Sequence, residues 1–140
     1  MSAPKAYSGT MSLSVERHCY ELNRCNQRGG RMLSIFDLLD AGSLDLDLAT
    51  YLMAEVTLGA SFMVGAFPGG AGKTTVMCAL LNLVPPEVEL VAVTPEAVHN
   101  AHTVQAQPQC LICHEIGPGR YFSYLWDDAL RTYCGLSEQG

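Results

Sequence analysis

Residues 60–75 constrain this chain more than any other stretch. Ala60-Ser61-Phe62-Met63-Val64-Gly65-Ala66-Phe67 is short, apolar and aromatic enough for a buried strand, and it runs directly into Pro68-Gly69-Gly70-Ala71-Gly72-Lys73-Thr74-Thr75. Residues 76–84 are good helix formers with apolar side chains on most faces, and Pro85-Pro86 stops that helix. A strand, a glycine loop and a helix in this order aim backbone N–H groups and a helix N-terminus at one concavity, the arrangement that cradles a polyphosphate. The expected fold is therefore α/β, a parallel sheet with flanking helices and the loop at the carboxyl edge of its strands.

Each residue type in the loop has a chemical reason. Gly69, Gly70 and Gly72 reach backbone angles that turn amides inward and leave no Cβ in the way, with Ala71 small between them. Lys73 is placed to neutralise β- and γ-phosphates and the Thr74 hydroxyl to ligate Mg²⁺, and Thr75 completes the set of candidate nucleotide-binding residues. The usual spacing puts a glycine five positions before Gly72, where this chain has Phe67, so the loop entry is atypical. Turnover also needs an acid at the end of a neighbouring strand to order water or hold the metal. Glu115 follows a strand-like run, Cys110-Leu111-Ile112-Cys113, and Glu96 follows a second, Glu89-Leu90-Val91-Ala92-Val93-Thr94. Both are candidate catalytic acids and Glu115 a candidate metal ligand, although either carboxylate could equally cap a turn. Arg120 is a candidate partner for phosphate or for these acids.

Composition limits the alternatives. The 140 residues are 49% hydrophobic and 16% charged, which suits one globular domain able to bury about two-thirds of its unfolded surface. No apolar run approaches the roughly 18 residues needed to span a bilayer, and the N-terminus lacks the apolar core of a secretory signal, so a cytoplasmic location is expected. The net charge of −6 divides by sign: residues 1–31 carry five basic and two acidic groups, residues 32–140 three basic and twelve acidic. An acidic body argues against general nucleic-acid binding, which draws its affinity from Lys and Arg on phosphates. Residues 1–31, with Arg17, Arg24, Arg28 and Arg31, read as a basic polar arm or linker, and residues 32–140 as the domain.

Within that domain, Asp37–Asp40 reads as the end of a short helical turn, Ser43 as the N-cap of a helix reaching about Leu58, and Gly59 as its terminator. A third strand is expected over residues 110–116. The last helix is expected over residues 121–134, with Leu125, Trp126, Ala129, Leu130 and Tyr133 inward and Gly135 at its end. The six cysteines carry no disulfide framework in a chain expected inside the cell. Cys110-Leu111-Ile112-Cys113-His114 matches the C-x-x-C-H pattern of haem attachment, and with Cys19 and Cys25 it could supply zinc ligands. The apolar alternation around these cysteines favours buried core thiols instead.

Residues 32 to about 120 resemble the secretion ATPase superfamily, the motors of type II and type IV secretion, type IV pili and the archaeal flagellum. The resemblance rests on Asp37-Leu38-Leu39 through Ala41-Gly42-Ser43-Leu44, the helix ending near Gly59, Gly72-Lys73-Thr74-Thr75, and Ala79-Leu80-Leu81-Asn82 before the prolines. It implies a P-loop NTPase domain that binds ATP and Mg²⁺, hydrolyses ATP and serves a membrane-associated machine from the cytoplasmic face. The family's acidic box then falls at Thr94-Pro95-Glu96 and its Walker B glutamate at Glu115. The chain ends 25 residues after Glu115, so an incomplete ATPase core is expected, with a narrow sheet whose open edge calls for a homo-oligomer or a larger ATPase assembly. Two other classes stay open: a non-catalytic nucleotide-binding assembly or regulatory subunit, and a small P-loop kinase acting on a metabolite.

Overall fold

The computed structural model describes residues 9–26, 29–101, 108–119, 121 and 123–136. In chain order the elements are α1 (Gly9–Cys25), α2 (Ile35–Asp40), α3 (Leu46–Thr57), α4 (Lys73–Leu81), β1 (Glu89–Ala92), α5 (Pro95–Asn100), β2 (Gln109–Ile112), β3 (Glu115–Ile116), β4 (Tyr124–Leu125) and α6 (Asp127–Leu136). The strands form two parallel pairs, β1 with β2 in the register Glu89↔Gln109 to Ala92↔Ile112, and β3 with β4. No helix among the described residues is long and apolar enough to cross a membrane.

The β1–β2 pair is buried on both faces, which explains why its sequence is apolar throughout rather than alternating. Leu90 and Ile112 face the larger core, where they meet Cys78, Leu80 and Leu81 of α4 and Ile35, Ala49 and Val56 of α2 and α3. Strand residues one position on point the other way. Leu111 and Val93 join Val98 of α5 and Leu125, with Ala129, Leu130 and Tyr133 of α6 packed against them. Each fully buried aliphatic side chain contributes about 1.5–3 kcal/mol relative to exposure, and Val93 and Val98 are among the most deeply buried.

Several expectations need correction. The segment read as a basic arm contains α1, whose Leu22 and Cys25 belong to the main core. Two of its arginines meet acids of the body: Arg17 lies 3.7 Å from Glu89, and Arg31 bonds Asp37 at 2.6 Å. Residues 60–67 form no strand. Phe62 and Val64 pack against the core while Met63 and Phe67 are 76% and 98% exposed, because among the described residues no strand lies alongside to pair with them.

The helix expected from Ser43 starts two residues later. Asp45 is its cap, accepting the Leu48 amide at 2.7 Å, while the Ser43 amide closes the end of α2 by donating to Leu38 O at 2.9 Å. Ser34 and Asp37 form a full capping box at the start of α2. The strand expected at 89–94 stops at Ala92 because Thr94 caps α5, accepting the Ala97 amide at 3.1 Å. The last helix begins at Asp127 rather than at residue 121, continues through Gly135, and leaves Trp126 55% exposed instead of inward.

Candidate functional site

The glycine loop delivers its residues to one concavity. Gly70 and Gly72 have φ of +85° and +98°, in the left-handed region where a Cβ costs about 1–2 kcal/mol. Gly72 is the N-cap of α4 and has no side chain to cap with, so the first α4 amide bonded within the helix is that of Val76, to Gly72 O at 3.0 Å. The amides of Lys73, Thr74 and Thr75 are thus the unfilled donors of a helix N-terminus, where the helix dipole favours negative charge. They open on a cavity of about 310 Å³ lined by Ala66, Gly69, Gly70 and Gly72, then Lys73, Thr74 and Thr75, and from across the molecule Glu115. Ala71 is exposed and does not line it.

Lys73 and Glu115 meet at the floor of this cavity. The Lys73 ammonium donates to both Glu115 carboxylate oxygens at 2.6 Å, and each side chain is 34% exposed. Forty-two residues of chain separate them, so the pair depends on tertiary structure.

The backbone at His114 and Glu115 is held by Ser123, a residue that sequence reasoning did not single out. Among the described residues Ser123 is the one buried polar group, 3% exposed, with φ of +57°. Its hydroxyl donates to Ile112 O at 2.7 Å and accepts the His114 amide at 3.1 Å, while its carbonyl accepts the His114 amide at 2.9 Å and the Glu115 amide at 3.4 Å. These bonds end β2 at Ile112 and start β3 at Glu115, which splits the single strand expected over 110–116. A lone Ser between aromatic residues carries little sequence signal for such a role.

His114 adjoins the ion pair. Burial lowers its imidazole pKa; Glu115 acts to raise it and Lys73 to lower it. Its Nδ1 is buried and without a partner among the described residues.

The two candidate acids part company. Glu96 sits exposed in the first turn of α5 and does not line the loop cavity. Arg120 lies outside the described residues. The cysteines do not assemble with His114: Cys25 is buried in α1, Cys19 is exposed on it, and among the described residues no group of three or more His, Cys, Asp or Glu side chains could hold a metal ion. Burial pushes the Cys110 thiol up to about 11, and the Cys113 thiol, also raised by burial, donates to Glu115 O at 3.3 Å. Comparison with protein-family models, with curated proteins and with solved structures finds no match for this chain.

Proposed function

We propose that the chain binds a nucleoside triphosphate with Mg²⁺ at its glycine loop. One observation carries the reading: the unfilled amides of the α4 N-terminus, the Lys73 ammonium and the Glu115 carboxylate converge on one cavity. Amides and ammonium suit phosphate oxygens. The Thr74 hydroxyl and Glu115 are hard oxygen donors of the kind Mg²⁺ takes, with phosphate and water completing its shell, so the residues present fit the ion. A cavity of about 310 Å³ encloses phosphates and leaves base and ribose outside.

Lys73 neutralises phosphate charge, α4 holds the anion by its N-terminus, and Glu115 orients water or metal once Lys73 releases it. The secretion-ATPase resemblance extends this to a cytoplasmic ATPase, assembled with copies of itself, that serves a membrane-associated secretion or pilus-type machine. A second reading, nucleotide binding without turnover in an assembly or regulatory subunit, is favoured by the position of Glu96, which leaves Glu115 as the one carboxylate among the described residues on the cavity. Calorimetric titration of Mg-ATP into the protein and into Lys73→Ala tests binding, with an expected loss of about 100-fold, or ~2.7 kcal/mol, in the variant. Equal binding by both proteins would refute the loop site. Phosphate release from the same samples separates an ATPase from the silent subunit.

A further inference from the structure

The second large concavity lies away from the glycine loop, between α1 and the edge of β1 that no strand pairs among the described residues, and measures about 1030 Å³. Its floor is backbone. The amides of Glu89 and Val93 donate toward β2, to Pro108 O and Ile112 O at 3.0 Å each, so the period-two geometry of a strand turns the amides and carbonyls of Leu90 and Ala92 to the other side, into the groove. Neither Leu90 nor Ala92 has an edge-side backbone partner among the described residues. Unpaired strand edges of this kind are templates for a further strand. One wall adds the His18 imidazole, which bonds the Val88 backbone and whose Nδ1 is buried and without a hydrogen-bond partner among the described residues.

Charge narrows the occupant. Glu16, Glu21, Glu87 and Glu89 line the groove against Arg17 and Arg24, four carboxylates to two guanidinium groups, a balance of −2. Both arginines are already engaged, Arg17 with Glu89 and Arg24 with Glu21, which leaves Glu16 and Glu87 as the excess. A second copy of β1 would bring its own acids and its own α1 to the same edge. From the open edge, the groove volume and the acidic lining, we infer that this groove takes an extended, basic segment of a partner protein as a third strand beside β1.

The test uses the full chain and a fluorescein-labelled hexapeptide of alternating Lys and Val, compared with its Glu-Val counterpart and with a Lys-Val peptide N-methylated at alternate residues. Anisotropy should give at least tenfold tighter binding for Lys-Val than for Glu-Val, and N-methylation should remove it, because the ladder needs those donors. Amide exchange at Leu90 and Ala92 should slow on binding. The double variant Glu16→Lys, Glu87→Lys should invert the charge preference. The proposal is overturned if the N-methylated peptide binds as well as its parent, if no peptide binds, or if the double variant keeps the original preference. It is equally overturned if Leu90 and Ala92 are already protected in the free protein, at every concentration by the chain itself or only at high concentration by a second copy.

Discussion

Replacing Glu115 by Gln should tighten nucleotide binding while weakening any hydrolysis. Phosphate competes for the Lys73 ammonium with the Glu115 carboxylate, which that ammonium bonds at 2.6 Å through both oxygens. Two unit charges about 4 Å apart attract by about 4 kcal/mol at an effective dielectric constant of about 20. Exposed pairs measured by double-mutant cycles retain only about 0.2–1 kcal/mol. Side chains 34% exposed lie between these cases, so the pair opposes the bound state by about 1–2 kcal/mol, a factor of roughly 5–30. Gln preserves the volume and one hydrogen bond to Lys73 but removes the competing charge and the repulsion between Glu115 and phosphate.

The measurement is competition by ATP against a fluorescent nucleotide, with EDTA and then with Mg²⁺. With EDTA, Glu115→Gln should bind ATP roughly 5–30-fold more tightly than the parent chain. With Mg²⁺ the gain should shrink, since the cation already offsets charge on the phosphates and loses a ligand in the variant. Unchanged or weaker binding with EDTA would refute the view that the ion pair competes with phosphate. Raising salt should narrow the difference, because a pair this exposed is screened.

Two further outcomes follow from backbone and burial. Gly72→Ala should lower stability by about 1–2 kcal/mol from the left-handed backbone alone, because a Cβ there meets nothing within 4 Å; urea denaturation with no loss would contradict that origin. Burial pushes the Cys25 and Cys110 thiols up to about 11 from an ordinary value of 9.0, so the folded chain holds those protons more tightly than the unfolded one. Their contribution to stability is full below pH 9 and declines as pH rises from 9 to 11. Iodoacetamide at pH 8 should label exposed Cys19 and Cys134 first, which peptide mass spectrometry would check.

Local features were readable from sequence where a single residue decides them. Gly72-Lys73-Thr74 specifies a loop passing into a helix within three residues of chain; the caps at Ser34 and Thr94 are as local but are not among the sequence expectations, which end a strand at Thr94. Features set by distant neighbours were not readable. Residues 60–67 have a strand's composition, yet a strand needs a partner, and pairing is a property of the sheet rather than of the segment. The basic residues of segment 1–31 look solvated until Glu89 and Asp37 come alongside Arg17 of α1 and Arg31 beyond it. Glu115 was legible as the acid of the loop, but Ser123, which bonds its backbone amide, was hidden by the seven residues between them.

Ser123 therefore offers the sharpest separation of architecture from chemistry. Its hydroxyl donates to Ile112 O and accepts the His114 amide, two hydrogen bonds that together contribute about 1–3 kcal/mol, at about 0.5–1.5 kcal/mol each. Ser123→Ala should lose stability of that order, and the freed end of β2 should let Glu115 drift from Lys73. If so, Ser123→Ala shifts part of the way toward the EDTA affinity of Glu115→Gln, and adding it to Glu115→Gln changes affinity no further, because the competing charge is already gone. A purely structural role predicts something else: equal effects of Ser123→Ala on binding in both backgrounds, each tracking the loss of folded protein. Non-additivity in affinity alongside additivity in urea stability would assign Ser123 to positioning Glu115. Additivity in both would leave it a structural group of the core and remove the link between the β2–β3 break and the phosphate cavity.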